Sequence, residues 1–178
     1  MSVVPSSAVD PRPGDVRIAL LSDTHFPRRG RRLGRAVLDH LDGADVIVHA
    51  GDLCDGEALD ELLALGPPVH AVLGNNDAGL EDRLPERLTL ELGGVRLGVV
   101  HDAGPRAGRL PRLRRLFPEQ DVVIFGHSHV PLHEEEDGFQ IVNPGSATDH
   151  RGRWPVHTVA ALTIRDGTAT FTLIDLPD

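Results

Sequence analysis

The chain has no lysine, no tyrosine and a single cysteine, Cys54, in 178 residues. One cysteine excludes an internal disulfide framework, and a reducing cytoplasm is the simplest setting to expect. No apolar stretch approaches the roughly 20 residues of a membrane-spanning helix. Residues 1–14, rich in proline and serine, lack the basic start and apolar stretch of a secretory signal. They are expected to form a loose N-terminal tail ahead of one domain over residues 15–178, a length that suits a single core. A basic face for nucleic acid is not expected, because the formal net charge is −9. All the positive charge is arginine, clustered at 28–35 and 106–115, and an arginine fork matches phosphate oxygens. In the second cluster Arg109, Arg112 and Arg115 alternate with Leu110, Leu113 and Leu116, which predicts a helix with a solvated arginine face.

What the chain does have is a series of short apolar runs, most followed at once by a polar group. Residues 16–21 lead to Asp23-Thr24-His25, residues 46–50 to Gly51-Asp52, and residues 69–73 to Gly74-Asn75-Asn76-Asp77. Residues 97–100 lead to His101, and residues 122–125 to Gly126-His127-Ser128-His129. Each run predicts a buried strand. With helices predicted over 33–41 and 57–65, the first part reads strand, helix, strand, helix, strand, the pattern of a parallel α/β sheet. Residues 87–92 and 95–100, joined by Gly93-Gly94, predict a hairpin that opens a second sheet. A helix over 109–117 and a strand over 122–125 follow. The remainder reads as strands over 132–135, 139–142, 157–165 and 168–175, turned at Asp137-Gly138 and Asp166-Gly167. The polar groups therefore gather at the carboxyl edge of a sheet, where ligands bind in open α/β folds.

Aspartate, asparagine and histidine together suit manganese, iron, zinc or nickel, with no need of a thiolate. Asp23 and His25, two apart past a strand end, are expected to point the same way and grip one ion. Asp52, at the end of the next strand, is placed to bridge two ions roughly 3.5–4 Å apart. By itself it also reads as a helix cap ahead of residues 57–65. Asn75 offers a neutral carbonyl oxygen, although a glycine-asparagine turn is its plainer reading. His127 and His129, so close behind a buried strand, are the hardest to account for as core residues. The set, taken in order, is that of a two-metal hydrolase.

This order, D-x-H, then G-D, then G-N-N-D, a lone histidine and G-H-x-H, resembles the calcineurin-like metallophosphoesterase superfamily. The short length and Asn143-Pro144-Gly145-Ser146 are similar to its small single-domain YfcE-type phosphodiesterases. The resemblance implies an α/β (α+β) fold, a four-layer sandwich of two mixed β-sheets flanked by helices. It implies two divalent cations, expected as Mn2+ with Ni2+, Zn2+ or Fe2+ as alternatives. Asp23, His25, Asp52 and His129 would hold one; Asp52, Asn75, His101 and His127 would hold the other. The expected reaction is hydrolysis of a small phosphodiester by a water activated between the two ions, with Asp52, Asn76 and Asp77 as its catalytic residues.

Asn76 stands where the wider superfamily carries a histidine, and asparagine donates a hydrogen bond but no proton. It is expected to hold a phosphoryl oxygen, while Asp77 orients a neighbouring ligand and Arg28 and Arg29, close behind His25, steer the substrate. The rival readings are a non-catalytic protein-interaction module on the same fold and a nuclease, the latter disfavoured by the acidic balance. No membrane partner is expected, and a homo-oligomer would be in keeping with the family. Cys54 reads as a small buried side chain.

Overall fold

The computed structural model describes residues 14–26, 33–152 and 154–177. The tail expected over residues 1–14, apart from Gly14, lies outside the described residues, and so do Arg28 and Arg29. The chain order is β1 (Val16–Leu21), α1 (Arg35–Leu41), β2 (Val46–His49), α2 (Gly56–Leu63), β3 (Val69–Ala71), β4 (Arg87–Leu92) and β5 (Val95–Val100). After these come α3 (Arg109–Leu116), β6 (Val122–Ile124), β7 (Leu132–Glu136), β8 (Phe139–Asn143), β9 (Thr158–Arg165) and β10 (Thr168–Asp175). Among the described residues no helix is long and apolar enough to cross a membrane.

The strands form two mixed five-stranded sheets, ordered β10-β9-β1-β2-β3 and β4-β5-β6-β8-β7. β1, β2 and β3 are parallel, as the alternation of strands and helices predicts, and β9 pairs antiparallel with β1. In the second sheet β5, β6 and β8 are parallel, with antiparallel strands at both edges. Three two-residue hairpins, at Gly93-Gly94, Asp137-Gly138 and Asp166-Gly167, have positive φ at both central residues. That matches the twist of the flanking strands and accounts for the glycine or aspartate-glycine pairs found there.

Side-chain parity assembles the layers. Val16, Ile18 and Leu20 of β1 meet Val95, Leu97 and Val99 of β5 between the sheets, while Ala19 and Leu21 face the other way. On that outer face α1 buries Val37 and Leu41, and α2 buries Ala58, Leu59 and Leu62. On the far side α3 sets Leu113, with Phe117 behind it, against Val123, Phe125 and Ile141. The result is helix, sheet, sheet, helix, the four-layer α/β sandwich expected from the resemblance.

Two local readings change. The N-cap of α2 is Asp55, which accepts from the Glu57 and Ala58 amides at 3.0 and 3.1 Å, so the helix makes no claim on Asp52. The arginines of α3 do not form one solvated face. Arg109 lies over the Phe125 ring at 4.9 Å, and Arg112 donates to the Ala103, Pro105 and Ala107 carbonyls. They pin the loop after His101 because its carbonyls have no sheet or helix partners. Of the three, only Arg115 is exposed.

Candidate metal centre

The loops after β1, β2, β3, β5 and β6 converge at one end of the sandwich, so both sheets contribute. Their backbones are unusual. Asp23, His25, Asp52, Cys54, His127 and His129 all have positive φ, between 46° and 97°. Such left-handed conformations are uncomfortable for residues with a Cβ and persist only where the surroundings impose them. Asp23 and His25 thus share a side through two left-handed residues, not through the extended geometry of a strand. The Asp23 amide donates to the Gly51 carbonyl at 3.0 Å and the His25 amide to the Asp52 carbonyl at 2.9 Å, interlocking the first two loops.

Asp23, His25 and His129 bring one ligand atom each within 4.8 Å of one another, as do Asp23, Asp52 and His101. His25 Nε2 is 3.4 Å from Asp52 Oδ2 and 3.3 Å from His129 Nε2. His101 Nε2 is 3.5 Å from Asp52 Oδ1 and 3.1 Å from Asn75 Oδ1, which His127 Nδ1 approaches to 2.8 Å. All seven donors expected from the sequence therefore meet in one cluster. Asp23, His25, Asp52, His101 and His129 are buried, while Asn75 and His127 are exposed at its mouth.

The hydrogen bonds around the cluster show which atoms remain for an ion. His101 Nδ1 lies 2.7 Å from the Ala50 carbonyl, and His129 Nδ1 contacts the Asp149 carbonyl. A carbonyl only accepts, so both Nδ1 atoms carry a proton, and each ring in its neutral form turns an Nε2 lone pair inward. There they face carboxylate oxygens, an arrangement of lone pair against lone pair that a cation satisfies. Among the described residues nothing donates a hydrogen bond to Asp23 Oδ1, although the side chain is fully buried and His129 Nε2 stands 3.2 Å away. A buried carboxylate oxygen left this way is costly unless an ion claims it. Burial alone would raise the Asp23 carboxyl, yet the His129 and His101 imidazoles and the Ser22 hydroxyl hold it below the usual range. Burial presses His129 down, and Asp23 outweighs it and lifts that ring above the ordinary histidine value. The site draws positive charge, and its residues fit divalent cations.

Asp77 and Asn76 hold Asp52 in place. Asp77 accepts from the amides of Asp52 at 2.9 Å, Gly74 at 2.7 Å and Cys54 at 2.6 Å. Asn76 donates its backbone N–H and its side-chain Nδ2 to Asp52 Oδ1 and Oδ2, at 2.8 and 2.6 Å. The amide expected to reach a phosphoryl oxygen is thus turned onto Asp52, because that carboxylate is the nearest strong acceptor.

Two residues of this site escape a reading of the motifs. Arg151, in the loop after β8, places Nη2 3.2 Å from His25 Nε2. His49, the last residue of β2, has the parity of a core residue and looked like part of the apolar run. Its Nδ1 accepts from the Gly51 amide at 3.2 Å, which leaves Nε2 to donate to Thr24 Oγ1 at 3.1 Å. It therefore ties the loop of Asp23 and His25 to that of Asp52. The only signal in the sequence was a histidine three residues before Asp52.

Burial holds the His49 imidazole down to about 4, so it is neutral in the fold, whereas in the unfolded chain it titrates near 6.5. Between these values the unfolded chain binds a proton that the folded protein refuses. The stabilisation is complete above pH 6.5 and is lost as the pH falls toward 4, amounting to about 3 kcal/mol. Thermal melts of metal-stripped protein from pH 7.5 to 4.5 should fall less steeply for His49→Gln than for the parent. His40 and His70, which burial also lowers, act equally in both proteins and cancel in the difference. Parallel slopes would remove His49 from this account.

A sequence model of the calcineurin-like phosphoesterase superfamily domain matches residues 16–167. A protein of Methanocaldococcus jannaschii named a probable metallophosphoesterase is 38% identical over 157 residues, covering 86% of this chain and 78% of its own. The structure of Entamoeba histolytica Vps29 complexed with Zn2+ superposes with a TM-score of 0.70 at 26% identity, over 89% of this chain and 98% of that one. A structure titled as a novel archaeal phosphodiesterase gives 0.68 at 19% identity, over 89% and 99%, a likeness of fold. With its strand-end donors gathered at the junction of two sheets and this match over nearly all the described residues, the chain belongs to the calcineurin-like phosphoesterase superfamily.

Proposed function

We propose that this protein is a phosphodiesterase of small substrates that works with two divalent cations. The observation that carries the reading is the pair of inward Nε2 lone pairs, on His101 and His129, set against Asp52 and the unpartnered Asp23 Oδ1. Asp23, His25, Asp52 and His129 would hold one ion, and Asp52, Asn75, His101 and His127 the other. Two such ions supply a water deprotonated near neutral pH and neutralise charge on the phosphoryl oxygens. Manganese suits the oxygen and imidazole donors, with nickel, zinc or iron as alternatives.

The preference for a diester is carried over from the YfcE-type resemblance, since two divalent cations would outweigh the charge of Asp23 and Asp52. The chain's own residues then decide the leaving group. Asp77 and Asn76 hold Asp52 in its left-handed conformation and aim both its oxygens. Neither offers a proton to the leaving group, so esters of acidic alcohols or phenols should react fastest. A cytoplasmic location fits a chain whose single cysteine is buried. The other reading, a non-catalytic interaction module, is favoured by the likeness to Vps29, a protein named for vacuolar sorting. It predicts cation binding without turnover.

The test is hydrolysis of bis-p-nitrophenyl phosphate by chelator-stripped protein. Activity should be absent after stripping, return with Mn2+, and exceed that toward p-nitrophenyl phosphate. No turnover with manganese, nickel, zinc or iron would favour the interaction module.

A further inference from the structure

The guanidinium of Arg151 is held directly against the cluster. Nη2 lies 3.2 Å from His25 Nε2, and Nε donates to Asp149 Oδ2 at 3.1 Å. A guanidinium has donors only and keeps its charge, so His25 must offer it the Nε2 lone pair. The loop that carries Arg151 is pinned to the site at several points. Ser146 Oγ donates to the Asp23 carbonyl at 2.8 Å and accepts from the Asp149 amide at 2.8 Å. Thr148 Oγ1 donates to the Thr24 carbonyl, and the Asp149 carbonyl accepts from His129 Nδ1. Arg151 has a positive φ of 51°, which turns it back toward the cluster from a partly exposed rim.

We propose that Arg151 is the phosphate clamp of this site, and that its guanidinium and the cation at Asp23, His25, Asp52 and His129 compete for one lone pair, that of His25. The proposal rests on the two-cation reading above. One lone pair serves one partner, and a divalent ion at His25 repels the guanidinium next to it. An anion beside both removes that repulsion. The two non-bridging oxygens of a phosphodiester match the two parallel N–H bonds of the fork. Cation binding therefore releases Arg151 from His25 and makes it available to phosphate, so the two ligands bind with positive coupling. Arg151 would serve this role from a loop far in sequence from Arg28 and Arg29, which lie outside the described residues.

The test is calorimetric titration of Mn2+ into the stripped full chain, then of inorganic phosphate into the Mn2+-loaded chain, for the parent, Arg151→Ala and Arg151→Lys. The alanine variant should bind Mn2+ roughly tenfold more tightly and phosphate roughly tenfold or more weakly. The lysine variant keeps the charge without the fork and should recover only part of the phosphate affinity. Mn2+ affinity in Arg151→Ala that equals or falls below the parent's overturns the competition, and unchanged phosphate affinity overturns the clamp. A parent that binds no Mn2+ overturns the two-cation reading as well, which separates the two failures.

Discussion

Asp52→Asn should abolish binding of the proposed cation pair and lower turnover of bis-p-nitrophenyl phosphate by about a thousandfold, the order lost with one preorganised charge-stabilising group. The protein should still fold. Asparagine has the same shape and, after glycine, is among the residues that best tolerate the left-handed φ of 63° found here. One acceptor oxygen becomes an amide facing a donor of Asn76, a loss of about 1 kcal/mol. Against this, two carboxylates within 4.8 Å no longer repel one another in the stripped protein. The melting temperature of the stripped variant should therefore stay close to the parent's, while metal content after dialysis against Mn2+ and turnover both collapse. Normal metal content together with normal turnover would show that Asp52 is not the bridge.

Gly74→Ala should act through space alone and cost stability as well as activity. A Cβ on Gly74 would stand 2.2 Å from both the amide nitrogen and Oδ1 of Asp52. The first of these is backbone and cannot rotate away, so the loops after β2 and β3 must separate. The expected cost is about 3 kcal/mol, at the upper end of ordinary overpacking. For a chain of this size that lowers the melting temperature by roughly 6–12 °C. Cation affinity should fall with it, since Asp52 is displaced and the Asp77 bonds to the Asp52 and Gly74 amides are broken. Gly56→Ala is the contrast. There a Cβ meets first the end of the Arg83 side chain at 3.1 Å, and alanine favours the helix, so the variant should melt at or above the parent's temperature. Equal melting of the two variants would contradict the close approach at Gly74.

Most of the secondary structure was legible because its signals are local. A run such as residues 16–21 is apolar on both faces because one sheet face meets another sheet and the other meets helices, and that reads directly as a buried strand. Glycine or aspartate-glycine pairs at positive φ announced all three hairpins. The misjudged features depend on distant partners. Arg112 looked solvated because its acceptors are loop carbonyls, which sequence spacing does not display. The alternative reading of Asp52 as a helix cap falls because Asp55, nearer the helix, fills that role.

The seven donors at strand ends, and their order, belong to the sequence by itself: strand length sets where each side chain emerges, and donor type sets which ions it suits. Their meeting belongs to the tertiary structure. The donors after β1, β2 and β3 lie on one sheet and those after β5 and β6 on the other, and only the packing of the two inner faces brings the carboxyl ends together. The left-handed backbones, the proton placements on His101 and His129, the tie made by His49 and the aim of Arg151 were decided there too. Each depends on a hydrogen bond between residues remote in sequence or on a conformation that surrounding loops impose, and neither leaves a pattern along the chain.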